Sequence, residues 1–238
     1  MAQGGTLAIA ELGAVEYDRA LELQTAMVAA RLAGEIGDTL LLLEHPHVFT
    51  LGRGADEKFV LARRAGVPVV RVSRGGQVTY HGPGQLVGYP ILKLDGAARD
   101  VTRYLRALEE VMMRALARCG IDAQRRAGLT GVWVANRKIG SIGVGIRRWV
   151  TCHGFALNVS TDLSYFDSIV PCGISGCEMT STAELGRRDI SVAAFSEMAA
   201  DCFRDVFGYL AATLAASSEI WRHVDANQQS HAPEATDG

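Results

Sequence analysis

Apolar and polar positions recur along this chain with two different periods, and each change of period marks an element. From 16 to 33, Tyr17, Leu21, Leu23, Met27 and Val28 fall at mixed three- and four-residue steps, which predicts an amphipathic helix. Leu40, Leu41, Leu42 and Leu43 form a short unbroken apolar run after Asp38 and Thr39, the pattern of a buried strand. A second apolar piece at 48–51 stops at Gly52, and the β-branched stretch 68–72 reads as another strand, followed by one through 86–94. Asp100 is placed to cap a helix with the stripe Val101, Tyr104, Leu105, Leu108, Met112, Ala115, Leu116 and Cys119, and Gly120 ends it. Three strands follow at 131–134, 138–146 and 150–159, the first two joined by a turn at Asn136 and Arg137. A last long helix spans 190–210. Strands bracketed by helices at both ends predict an α+β (mixed α/β) fold with one domain over 1–223. The polar segment 224–238 reads as a disordered tail.

Composition narrows the class. Of 238 residues, 48% are hydrophobic and 21% charged, enough for a sizeable core. A formal net charge of −2 leaves no basic footprint for nucleic acid. The apolar runs are too short to cross a bilayer, and no secretory signal precedes the first element, so a cytoplasmic location is expected. Five cysteines without a CxxC pair fit reduced thiols, and no second ligand cluster stands at zinc spacing, so no metal is expected.

Candidate chemistry gathers in glycine-rich segments. Ser168-Ile169-Val170-Pro171-Cys172-Gly173-Ile174 sets one thiol between a proline and a glycine. Proline stiffens the approach, and glycine lets the backbone turn and bring its N–H near a bound carbonyl. A thiol attacks only as thiolate, and a neighbouring ammonium favours that form. Lys138 is the natural cation; it opens a strand whose Gly140, Gly143 and Gly145 suggest close approach by a flat acyl chain or a phosphopantetheine arm. His81, in Val78-Thr79-Tyr80-His81-Gly82-Pro83-Gly84, is the competing base, and a Cys–His dyad stays open. His153 could line the same pocket or face outward, whereas His45 and His47, flanking Pro46, suit a turn. Arg74-Gly75-Gly76 resembles a backbone nest for an anion. It matches neither a phosphate-binding GxxxxGK[ST] loop nor a dinucleotide fingerprint.

Taken in order, four motifs resemble the lipoyl(octanoyl) transferases, the octanoyl-carrier-protein:protein octanoyltransferases of protein lipoylation. They are Arg74-Gly75-Gly76-Gln77-Val78-Thr79-Tyr80-His81 with its continuation to Gln85, Lys138-Ile139-Gly140-Ser141-Ile142-Gly143, His153-Gly154-Phe155-Ala156-Leu157-Asn158, and Pro171-Cys172-Gly173. The resemblance runs over about 8–208. It implies a fold similar to the catalytic domain of biotin and lipoate protein ligases, a mixed sheet flanked by helices. It further implies Cys172 as the nucleophile that carries octanoyl as a thioester, and Lys138 as the group that activates it. Arg74 to His81, Ser141 to Gly143 and Gly154 to Ala156 would bind substrate. The implied partners are octanoyl-acyl carrier protein, the lipoyl domains of 2-oxoacid dehydrogenase E2 subunits and the glycine cleavage H protein. No cofactor is implied, because the acyl group arrives on the carrier's phosphopantetheine. Three other readings stay open at this point: an ATP-dependent ligase of the same fold, a Cys–His hydrolase, and an acyl-carrier or lipid-binding module without chemistry.

Overall fold

The structure, a computed structural model, describes residues 4–174 and 176–229, the last four of these by backbone alone. In chain order the elements are β1 (Thr6–Ala14), α1 (Tyr17–Ala33), β2 (Thr39–Glu44), β3 (Val48–Leu51), β4 (Val69–Arg71), β5 (Val78–His81) and β6 (Gln85–Ile91), followed by α2 (Val101–Arg118) and β7 (Gln124–Arg126). Then come β8 (Leu129–Val134), β9 (Arg137–Arg147), β10 (Val150–Asn158), α3 (Val192–Phe207), β11 (Ala211–Leu214) and α4 (Ser217–Gln229). Among the described residues the strands form an eight-stranded mixed sheet, ordered β11-β1-β2-β6-β10-β9-β8-β7, and a three-stranded sheet, β4-β3-β5. The mixed, helix-flanked sheet predicted from the sequence is therefore present.

The leucine run of β2 shows why the large sheet is buried on both faces. Leu40 and Leu42 point into a core with Leu108 and Met112 of α2 and Phe203 and Phe207 of α3. Leu41 and Leu43 point the other way, into a core with Leu23 and Met27 of α1. A period of two thus divides one apolar run between two helical layers. The helix ends follow local chemistry. Asp100 Oδ1 accepts the Arg103 N–H at 3.0 Å and Ser191 Oγ the Ala194 N–H at 3.1 Å, while Gly34 and Gly208 close α1 and α3 in the left-handed conformation.

Four elements depart from the pattern reading, among them the short, exposed β7, whose Gln124-Arg125-Arg126 carries no apolar position. β1 was hidden by its small residues, and β11 is exposed at the sheet edge, where pairing with β1 rather than an apolar stripe defines it. The tail expected from 224 is helical as far as Gln229. Ile220 and Val224, one turn apart on α4, bury themselves against the α1 side of the sheet, and that packing outweighs the polar composition. Residues 230–238, the rest of the expected tail, lie outside the described residues. Replacing Ile220 by Ala should lower the unfolding free energy by about 2–4 kcal/mol in urea titrations. A loss under ~0.5 kcal/mol would show that α4 lies outside the cooperative core.

Candidate active site

Lys138 is fixed from both sides of its strand. Its N–H donates to the Glu178 carbonyl at 2.8 Å, and its carbonyl accepts the Thr180 N–H at 2.9 Å. On the other side it pairs with Trp133 of β8. The side chain is only 1% exposed, and Nζ lies 5.1 Å from the Trp133 ring centre and 3.0 Å from Cys172 Sγ. Gly131 makes room for this path. With φ at +129°, a Cβ there would stand 2.7 Å from Lys138 Cε and 2.6 Å from the Gly140 carbonyl. The buried carboxylate of Glu109 on α2 holds that backbone, accepting the Gly131 N–H at 3.1 Å while Arg106 and Arg125 neutralise it at 2.7 and 2.9 Å. Glu109 is thus a positioning group for the lysine's neighbourhood, visible in the sequence as an acid beside the apolar stripe of α2.

Cys172 sits on a short turn, Pro171–Gly173, with its own φ at +57°. A side-chain-bearing residue in that region is disfavoured by roughly 1–2 kcal/mol, so the surroundings must hold it. They do: Val170 N–H donates to the Phe59 carbonyl at 2.8 Å, and Ile174 N–H to the Pro171 carbonyl at 3.0 Å. The Gly173 N–H, expected to face a bound carbonyl, instead donates to Val170 at 3.0 Å. It closes the turn. Burial pushes the thiols of Cys119, Cys152, Cys177 and Cys202 up, which keeps them protonated and unreactive. Cys172 differs in having the Lys138 nitrogen at hydrogen-bond distance.

A cavity of about 230 Å³ opens from this pair. Its wall is the β9–β10 ladder, where Ser141, Ile142 and Gly143 stand opposite Ala156, Phe155 and Gly154. The loop after β4 roofs it, and Arg74, Gly76, Gln77, Val78, Thr79 and His81 all border the space. Gly75 and Tyr80 do not. Gly75 pairs through its N–H with the Val144 carbonyl at 2.9 Å, and Tyr80 points into the small apolar cluster under β3. Nor does Arg74 form an anion nest. Its Nη1 donates to the Gly75 and Gln77 carbonyls, and its Nη2 to Thr50 O and Oγ1 at 2.8 and 2.7 Å, so the guanidinium ties the roof loop to β3. The β9 glycines also have a different cause from the one expected. A Cβ at Gly140 would meet Met112 Sδ at 2.7 Å, one at Gly143 Arg74 Cδ at 2.8 Å, and one at Gly145 Cys152 Sγ at 2.7 Å. The protein itself presses on the strand.

His81 is buried and occupied elsewhere. Its Nδ1 donates to Gln85 Oε1 at 2.7 Å, Gln85 Nε2 donates to Asn158 Oδ1 at 2.9 Å, and Asn158 Nδ2 donates to the Thr180 carbonyl at 3.0 Å. This chain of polar groups steadies the segment that brackets Lys138. The thiol's partner is thus the lysine, not the histidine. His45, expected in a turn, stands in the short connection between β2 and β3, where it is buried between the Val15 carbonyl and the Tyr89 hydroxyl at 2.6 and 2.7 Å. Among the described residues, no group of three His, Cys, Asp or Glu side chains could hold a metal ion.

The Lipoyl protein ligase A/B catalytic domain model matches residues 16–204. The chain belongs to that family. It is 56% identical to the Octanoyltransferase of Solibacter usitatus, over 75% of this chain and 83% of that one. Against the Octanoyltransferase of Geobacter metallireducens the identity is 52%, covering 75% and 84%. The fold is similar to that of a bi-partite lipoate protein ligase from Thermoplasma acidophilum, with a TM-score of 0.70 at 16% identity over 97% and 93% of the two chains. It is also similar to lipoate-protein ligase A bound with ATP, with a TM-score of 0.69 at 15% identity over 97% and 95%.

In this member of the family, pattern reading passed over Tyr17 and Tyr89, which border the cavity from α1 and β6. Each looked like ordinary core, since nothing in the local sequence shows that a helix start and a strand centre meet there.

Two predictions follow from the geometry. Gly131→Ala should slow iodoacetamide alkylation of Cys172 at neutral pH by ~threefold or more, because its Cβ displaces the lysine from the sulfur; an unchanged rate would show that this clearance does not matter. The second concerns acid. Burial lowers His45 to about 4, His81 to about 3 and His153 to about 4, whereas unfolded histidine binds its proton near ~6.5. Between these values the unfolded chain holds more protons, so stability is full above ~6.5 and falls as the pH drops towards about 4. Each histidine contributes up to ~1.4 kcal/mol per pH unit in that window. Urea titrations at pH 7.5 and 5.5 should show the loss, and equal midpoints would contradict neutral burial.

Proposed function

We propose that this chain transfers an octanoyl group from octanoyl-acyl carrier protein to a lysine of a lipoyl domain, through a thioester on Cys172. The observation that carries this reading is the 3.0 Å approach of Lys138 Nζ to Cys172 Sγ at one end of a cavity along β9. In the first half-reaction the thiol proton passes to the lysine nitrogen, and the thiolate attacks the carrier's thioester carbonyl. The pantetheine sulfur departs and receives the proton back, leaving octanoyl on Cys172. An acceptor lysine in its amine form then attacks that carbonyl. Lys138 takes its proton and returns one to the sulfur as the amide forms. Exchange between thioesters is nearly isoenergetic and thioester to amide is downhill, so the reaction needs no ATP and no cofactor.

The acyl tail lies between Ile142, Phe155 and Ala156, where each buried methylene contributes ~0.8 kcal/mol. Acceptors are lipoyl domains of 2-oxoacid dehydrogenase E2 subunits and the glycine cleavage H protein, and the site of action is the cytoplasm. Among the described residues no helix is long and apolar enough to cross a membrane. The Lys138–Cys172 contact favours this reading over an ATP-dependent ligase, which activates a free acid and does not use a thiol. The bond from His81 to Gln85 disfavours a Cys–His hydrolase.

Incubation with octanoyl-acyl carrier protein should add one octanoyl mass to the tryptic peptide containing Cys172, and Cys172→Ser should remove both adduct and transfer. Adduct on another cysteine would overturn the site. Full transfer by Cys172→Ser from octanoate and ATP would point to the ligase, and octanoate as the main product to the hydrolase.

A further inference from the structure

Behind the acyl cavity lies a second one of about 250 Å³, bordered by Leu21, Val28, Ile146 and Cys152 and also by the polar Gln24, Arg53, Ser73 and Arg147, and one side chain borders both cavities: His153. The strand register shows how the two spaces are arranged. From the reacting pair at Lys138, the first cavity follows β9 through Ser141, Ile142 and Gly143, opposite Ala156, Phe155 and Gly154. The next rung is Val144 opposite His153. The rung after that, Gly145 opposite Cys152, already belongs to the second cavity. One residue pair therefore separates the end of the acyl slot from an additional space of similar size.

His153 is built as a fixed wall. It is 2% exposed, its backbone N–H donates to Gln24 Oε1 at 2.7 Å, and its Nε2 shares a 3.2 Å hydrogen bond with Ser73 Oγ. The Tyr89 ring meets it edge-on at 6.3 Å. Its φ of +53° is a strained value for a side-chain-bearing residue and is maintained by these contacts. Facing the slot, an uncharged ring is compatible with a terminal methyl.

We infer that His153 determines the acyl chain length, by closing the far end of the slot against the second cavity. Without the ring the two spaces join, and a longer chain runs on past Gly145 towards Leu21, Val28 and Ile146. Each further methylene buried there is worth about fourfold in affinity. In the intact protein that chain meets the imidazole instead. The inference rests on the acyl-transfer reading and adds to it the residue that selects the substrate.

The test is single-turnover acylation of the full chain by octanoyl-, decanoyl- and dodecanoyl-pantetheine, followed by intact mass. The unaltered protein should react with the octanoyl thioester at least ~tenfold faster than with the dodecanoyl one. His153→Gly, which suits the positive φ, should erase or reverse that ratio. Adding Leu21→Trp to fill the second cavity should restore it. Ser73→Ala keeps the ring but frees its edge, and should raise the relative dodecanoyl rate in part, which provides a reading if the glycine variant does not fold. An unchanged ratio in a folded His153→Gly protein, or in Ser73→Ala if that variant alone folds, overturns the inference while leaving acyl transfer intact. No adduct from any thioester on the unaltered protein would remove the acyl-transfer reading itself.

Discussion

The contact between Lys138 Nζ and Cys172 Sγ is the interaction on which the rest of the site depends. At 3.0 Å the two groups stand at hydrogen-bond distance, close enough for a proton to pass directly between them. Burying such a pair is unfavourable unless its geometry is held, and here it is held from several directions. β8 and the 178–180 segment flank the lysine's backbone, Glu109 fixes Gly131 beneath its side chain, and the Trp133 ring faces its nitrogen. The cysteine is carried by a turn that its surroundings keep in a disfavoured conformation. Pre-organisation of this kind suits the proposed role of Cys172 as nucleophile, because the substrate need not assemble the site.

The architecture explains why the slot lies along β9 and β10. Both strands are interior to the large sheet, and packed helices on its two faces make the ladder a rigid wall. The small sheet contributes the roof, tied down by Arg74 to Thr50 and by Gly75 to Val144. On the proposed reading, an apolar tail entering between wall and roof would meet residues at fixed strand intervals, so depth would be graded along the ladder. Such a surface suits measurement of an unbranched chain.

Much of this was legible in the sequence, and the failures have definite causes. The run 40–43 and the stripe from Tyr104 to Leu116 announced β2 and α2 because burial dictates both patterns. Asp100, predicted as a cap, holds the start of α2 through a side chain whose chemistry is local. Lys138 and Cys172 stood out among glycines, and they meet. What local pattern could not supply was contact between distant segments. The β9 glycines appeared to wait for a ligand, whereas Met112, Arg74 and Cys152 occupy those positions. Arg74 looked like an anion site because its demand from Thr50 lies on another strand. Tyr80 alternates away from the slot, Gly75 turns to β9, and α4 is helical because Ile220 and Val224 find a core that composition does not reveal.

The central claim is that the Lys138 nitrogen moves the proton of the Cys172 thiol. Chemical rescue tests it most directly: single-turnover octanoylation of Lys138→Ala, measured by rapid quench with and without added methylamine. The account predicts a loss of ~10²-fold or more for the variant and a rate that rises with amine concentration, while Cys172→Ser stays inert. A folded Lys138→Ala protein that octanoylates at the unaltered rate, or one that is slow and indifferent to the amine, would contradict it.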